Sequence, residues 1–266
     1  MSTPATEYSL AELMICANAS AYDNDGEVLV TGIGVLPRIA ASLAMLSSNT
    51  DILMTDSEAW LLSEPNPVGK RPADFKQKNE TWMGFSRIFD NVWSGRRHLT
   101  GGPTQIDRFA QANISALGDY SKPKVQMLGV RGFPGNSICH ANSYLVPMHS
   151  TRVFVDGECD VVCTIGYNPD RLPKGYSFDE IDVRQVYTNL GVFDFRGPNR
   201  QMQIVSLHPG VTVEEVQENT GFPVHVPDTI PTTTAPTEEQ LEIIRRIDPH
   251  NLRAKQLKDN PPGVRG

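Results

Sequence analysis

Two short apolar runs, joined by a glycine-punctuated loop and a helix, constrain the fold of this chain more than any other feature. Glu27 to Thr31 is a β run that ends in Gly32-Ile33-Gly34. Pro37 fits the first turn of a helix over Arg38 to Leu46. Asp51 to Met54 reads as the next strand, with Thr55 and Asp56 at its C-terminal end. Strand, loop, helix and strand in that order are a parallel-sheet signature, because parallel neighbours need a long crossover and a helix supplies it. The class expected is α/β, with an open, mainly parallel sheet and flanking helices.

Local capping signals place further helices. Ser9 followed by Glu12 is a capping box before an apolar helix over Leu10 to Ala19. Thr212 with Glu215 opens another, stopped by Gly221, and Thr237 with Gln240 opens a last one that ends near Asp248-Pro249. Strands are expected at Val125 to Gly129, Arg152 to Phe154, Cys159 to Ile165 and Gln185 to Phe195. Another is expected at Gln201 to Leu207, joined to the preceding one through Gly197-Pro198-Asn199. Residues 63–98 read as loops with a short strand, Gly101 to Asn113 as a turn and an extended pass, and Asp228 to Pro236 as an extended arm. No repeat or linker divides the chain. A single domain over 1–258 and a flexible polar tail over 259–266 are expected.

Composition narrows the function. The chain has 266 residues and a formal net charge of -7, which argues against a nucleic-acid binder. It has no run of 18 apolar residues and no signal peptide pattern, so no membrane partner is expected and the default location is the cytoplasm. Cys16, Cys139, Cys159 and Cys163 have neither disulfide-framework nor zinc spacing and read as free, mostly buried thiols. No metal site is expected.

Three loops carry residues able to do chemistry. Thr31 to Pro37 lies between a strand and a helix, where open α/β sheets bind ligands. Gly32 and Gly34 fit either a tight crossover needing positive φ or a loop beside a ligand. Gly129-Val130-Arg131-Gly132-Phe133-Pro134-Gly135-Asn136 puts three glycines in eight residues. Such a loop can converge backbone N–H groups on a developing oxyanion, with Arg131 adding fixed positive charge, or it can be a structural turn with a surface arginine. Asn136, His140 and Asn142 follow it. His140 is either a proton carrier or a satisfied interior histidine. Thr55, Asp56 and Glu58 form the third cluster. Asp56 is a candidate base or nucleophile, and Glu58 reads as a solvated helix-start residue. The remaining histidines, His98, His149, His208, His225 and His250, show no ligand spacing.

The glycine-rich loop, with Gly101-Gly102-Pro103-Thr104-Gln105-Ile106-Asp107, Gly118-Asp119-Tyr120 and Glu218-Asn219-Thr220-Gly221-Phe222, resembles the β subunits of class I coenzyme A transferases. That resemblance covers most of the chain. It implies the NagB/RpiA/CoA transferase-like α/β fold and an acyl-CoA substrate. The transferase nucleophile, a strand-end glutamate, is replaced by Thr55, and Arg131 replaces a loop glycine. Asp56, one residue on, would point to the other face of a continuing strand.

Those departures resemble the family's hydrolase branch, which opens a steroid-derived cyclic oxo-acyl-CoA by carbon–carbon bond hydrolysis. The resemblance implies a homologous α subunit, an α2β2 heterotetramer, no cofactor beyond the CoA of the substrate, and the main general base on the α chain. It further implies that Arg131, with the N–H groups of Gly132 and Phe133, holds developing negative charge. Asn136 would orient water or substrate, Asp56 would support the chemistry, and Thr55 would leave room where the glutamate stood. Gly32, Gly34, Gly129 and His140 would line the acyl-CoA site. The alternatives are a working CoA transferase that uses Asp56 or Glu58, and a non-catalytic structural subunit.

Overall fold

The computed structural model describes residues 3–56, 59–129 and 132–265. It falls into two compact units, one of Met1–Gly101 with Thr234–Gly266 and the other of Gly102–Thr233.

The first unit runs α1 (Leu10–Ala19), β1 (Leu29–Gly32), α2 (Val35–Leu46), β2 (Trp60–Leu62), β3 (Asn79–Trp82), α3 (Gly84–Trp93) and β4 (Arg97–Gly101). β1 pairs with β4 in parallel, from Leu29 opposite Arg97 to Gly32 opposite Thr100. Leu53 adds one parallel bridge to Leu29, so the strand predicted over 51–54 contributes that contact without becoming a full strand. The capping box at Ser9 forms in both directions, with Glu12 N–H donating to Ser9 Oγ and Ser9 N–H donating to Glu12. α2 starts at Val35, three residues before the predicted start, and packs on β1 and α1. Its buried side chains Leu36, Ile39 and Leu43 join Leu13, Met14 and Ile15 of α1 in a core nearly free of water.

Helix α3 corrects the expectation of loops over 63–98. Its apolar residues Phe85, Ile88, Phe89, Val92 and Trp93 recur at helical spacing, but Met83 at the N-cap supplies no side-chain cap to announce the start.

In the second unit come β5 (Gln105–Ile106), β6 (Ala112–Asn113), β7 (Ala116–Leu117), β8 (Val125–Gln126), α4 (Phe133–Cys139), β9 (Ala141–Val146), β10 (Val183–Thr188), β11 (Gly191–Asp194), β12 (Gln203–Leu207) and α5 (Val213–Glu218). The closing helix α6 (Glu238–Ile247) belongs to the first unit and starts at the predicted Thr237–Gln240 capping box. β9 and β10 pair in parallel, and β10, β11 and β12 form an antiparallel meander. Both units are α/β and both contain a parallel pair.

Several strand expectations in this unit are corrected. The run 185–195 is two strands folded back at Asn189-Leu190, with Thr188 Oγ1 accepting from the N–H groups of Leu190 and Gly191. Arg152 to Phe154 is a turn and Cys159 to Ile165 an irregular, bent segment, and each touches a neighbour through a single bridge, at Phe154 and at Thr164. Val125 to Gly129 is no core strand: β8 is a two-residue hairpin arm against β7, and Leu128 is 98% exposed. β9, whose six residues are all buried, replaces it. The four cysteines are free thiols, with Cys139 half-buried and the others buried. Residues of the expected tail bond to the start of α1, with Leu10 N–H donating to Pro261 and Gly263 N–H donating to Tyr8. No helix among the described residues is long and apolar enough to cross a membrane.

Candidate active site

In the first unit, the β1–α2 loop is built by steric necessity. A Cβ on Gly32 would lie 2.3 Å from the carbonyl oxygen of Pro37, so only glycine lets the strand end lie against the helix's first turn. Gly34 has a φ of +111°, which L residues rarely adopt. The tight-crossover reading of these glycines is therefore what the geometry displays. Arg38, one turn into α2, is half-buried and interacts electrostatically with Asp56. Burial lowers its pKa, the neighbouring Arg71 lowers it further, and Asp56 opposes both.

Thr55 bridges Leu61, and Asp56 N–H donates to the carbonyl of Trp60. One carboxylate oxygen of Asp56 accepts from Trp60 N–H at 3.2 Å and the other from Gln77 Nε2 at 2.8 Å. Both oxygens of the candidate base thus hold the loop to β2 and to the segment before β3. Glu58 and Arg131 lie outside the described residues.

The second unit assembles the other candidates around α4. Gly129 lies against Ile114: an added Cβ would be 2.3 Å from Ile114 Cδ1. Gly132 meets no such obstacle, since its nearest neighbour would be Asn136 Nδ2 at 3.9 Å. Phe133 is buried, with its ring centroid 6.1 Å from that of Tyr144 on β9, and so anchors α4.

His140, at the end of α4, acquires the partner that its sequence context did not reveal. Its Nε2 lies 3.2 Å from Asn136 Oδ1 and its Nδ1 lies 2.9 Å from the carbonyl of Ala141. A carbonyl only accepts, so Nδ1 carries a proton. Nε2 then either donates to Asn136 as part of an imidazolium, or accepts from that amide with its oxygen and nitrogen exchanged. Asn136 and His140 are four residues apart, and helical spacing was the signal that could have joined them.

Sequence reasoning assigned no role to Asn142, which stands at the centre of this cluster. Fully buried on β9, it donates from Nδ2 to the carbonyls of Asn136 at 2.9 Å and His140 at 2.6 Å. It thereby fixes the α4–β9 corner that presents the two candidate side chains.

The other buried histidines serve the scaffold. His98 bonds Asp25 at 2.6 Å, His149 sits between the hydroxyls of Thr188 and Thr220, and His208 between Thr233 and the Thr188 carbonyl. Among the described residues, no group of three or more His, Cys, Asp or Glu is placed to hold a metal ion.

Comparison with known proteins shows a close likeness over nearly the whole chain. It is 43% identical over 250 residues to the cholesterol ring-cleaving hydrolase IpdB subunit of Mycobacterium tuberculosis, covering 93% of this chain and 98% of that one. The chain belongs to the IpdB family. The crystal structure of Rhodococcus jostii IpdAB superposes with a TM-score of 0.87 at 40% identity, over 95% of this chain and all of that one. More distantly, a 3-oxoadipate CoA-transferase subunit of Pseudomonas knackmussii is 31% identical over 91% of this chain and 94% of its own length. The fold is that of the CoA transferases. No family model matches the sequence.

Proposed function

We propose that the chain is the β subunit of a heteromeric hydrolase that opens a steroid-derived cyclic oxo-acyl-CoA during cholesterol or steroid breakdown. The observation that carries this reading is the 43% identity to a ring-cleaving hydrolase subunit across 93% of the chain. Thr55 supports it against the transferase alternative. A hydroxyl cannot replace the carboxylate that a CoA transferase uses to form an acyl anhydride, and both oxygens of the adjacent Asp56 already accept hydrogen bonds.

In this reading a homologous α subunit completes the enzyme, as an α2β2 heterotetramer in the cytoplasm, and supplies the main general base. Water adds to a ring ketone β to the thioester carbonyl. The tetrahedral adduct collapses, the ring carbon–carbon bond breaks, and a carboxylate forms. The bond's electron pair passes to the thioester α-carbon as an enolate, which is then protonated. Arg131 and the backbone N–H groups of Gly132 and Phe133 hold the developing negative charge. Asn136, buttressed by His140 and Asn142, orients water or substrate. Asp56 holds the Thr55 loop in shape. Thr55, Gly32, Gly34 and Gly129 give the acyl-CoA room, and no cofactor is needed beyond the CoA already on the substrate.

The test is to coexpress the chain with its α subunit and supply the cyclic oxo-acyl-CoA in water enriched in heavy oxygen, without any acceptor acid. Ring opening with heavy oxygen in the new carboxylate is the expected result. Acyl exchange that starts only when a free acid is added would replace the hydrolase with a transferase.

A further inference from the structure

Helix α3 carries an apolar stripe of core character that the described residues leave uncovered. Phe85, Phe89 and Trp93 are spaced i, i+4, i+8 and are 62%, 61% and 68% exposed. Trp82 is 60% exposed and lies over the start of the helix, its ring 3.4 Å from where a Cβ on Gly84 would stand. Val92, on the edge of the same stripe, is buried. A helix with this pattern normally faces a core.

We infer that this aromatic ridge is a docking surface for the homologous α subunit. The inference rests on the two-subunit reading proposed above. Area argues for a macromolecular occupant. Aromatic side chains bury about 150–250 Å² each when covered, so four that are some three-fifths exposed offer roughly 350–600 Å². A standard interface takes about 800 Å² from each partner, and patches of this size on a lone subunit are commonly functional. Shape argues the same way. The ridge runs about 12 Å along a convex helix, at 1.5 Å per residue, whereas small ligands choose concave sites. Two clefts of this unit are lined by other residues. Anchors one turn apart on a helix suit a groove on another protein. A second copy of this chain fits less well, because each copy carries a net charge of -7.

The experiment compares the full-length wild-type chain with Phe89→Arg, each coexpressed with the α subunit. Assembly is read by sizing and titration, and protection of α3 by amide exchange. The wild-type complex is expected to slow exchange in α3 at least tenfold. Phe89→Arg is expected to weaken assembly at least tenfold, while the isolated variant keeps its thermal midpoint within about 2 °C, as an exposed position allows.

Unchanged assembly with unchanged exchange overturns the inference. So does self-association of the isolated chain that Phe89→Arg abolishes while association with the α chain survives, which would assign the ridge to a second copy. Intact assembly with a raised KM would assign it to the acyl-CoA. If the wild-type chain forms no complex with the α subunit, both readings fall. If the complex forms but opens no ring, only the functional reading falls.

Discussion

Asn142 holds two backbone carbonyls with one amide, and that makes the corner below the glycine-rich loop depend on a single buried side chain. Replacing it with leucine keeps the volume and removes both donors. Leaving buried acceptors unpaired costs about 1–3 kcal/mol. Part of that is recovered, because Asn142 Oδ1 is itself buried without a partner among the described residues. Asn142→Leu is expected to lower stability by about 1–3 kcal/mol, read from the urea midpoint. An unchanged midpoint would show that the two bonds do not hold the corner. At this scale the sequence was readable wherever a bond closes locally. Ser9 with Glu12 and Thr237 with Gln240 are satisfied within three residues, so the helix starts they imply are there. The contact between Asn136 and His140 is also short in sequence, but it exists only once residues 133–139 are helical. Two glycines and a proline in and just before that segment read as a loop. Asn142 was hidden for the opposite reason: a polar residue beside Ser143 breaks the apolar pattern of a core strand, and only the folded corner explains its burial.

The junction of β1 and α2 shows how an element boundary can rest on two glycines for different reasons. At Gly32 an added methyl meets backbone, 2.3 Å from Pro37 O and 2.6 Å from Arg38 N. Nothing flexible can yield there, so strand and helix must separate. At Gly34 the space is open, with the nearest atom at 3.6 Å, and only the positive φ opposes a side chain. Gly34→Ala is therefore expected to cost about 1–3 kcal/mol of backbone strain, because φ 111° with ψ 172° is open to little but glycine. Gly32→Ala is expected to cost a similar amount, about 1–3 kcal/mol, for a different reason, overpacking against backbone. Thermal midpoints of the two variants measure both, and an unchanged midpoint for Gly32→Ala would refute the steric account of Gly32. The same comparison explains which elements sequence reading found. α1 is announced by its capping box, and β1 and α2 by an apolar run, a glycine loop and an apolar helix in succession. β5 to β8 are two-residue arms paired across short loops, and no window of that length carries a period. Helix α3 had the period, but its aromatic face points outward and no capping side chain marks its start.

Part of the acid response belongs to the second unit, because two buried groups there oppose each other. His149 is 4% exposed and burial drives its pKa down from 6.5 to about 3. Between those values the unfolded chain binds a proton that the folded one refuses. His149 therefore contributes stability that is complete above about pH 6.5 and is lost as pH falls towards 3, by about 1.4 kcal/mol per unit. Asp107 is 1% exposed, and burial raises its pKa from 3.8 to about 7, against the N–H groups of Phe109 and Gln111 that favour the anion and with help from nearby Glu158. Here the folded state keeps a proton that the unfolded state releases. Asp107 thus lowers stability as pH rises from about 4 to 7, with the same slope and opposite sign. Between about pH 4 and 6.5 the two contributions cancel. Asp107→Asn keeps an oxygen for the N–H groups of Phe109 and Gln111 and removes one side of the balance. Relative to wild type, its stability is expected to climb by about 1.4 kcal/mol per unit between pH 4.5 and 6.5. His149→Gln removes the other side, so its stability is expected to fall over the same interval. Urea midpoints at pH 4.5, 5.5 and 6.5 measure both slopes. Curves for the two variants that run parallel to wild type would mean that neither group titrates where its burial places it. Opposite slopes would show that these two buried groups offset each other in mild acid.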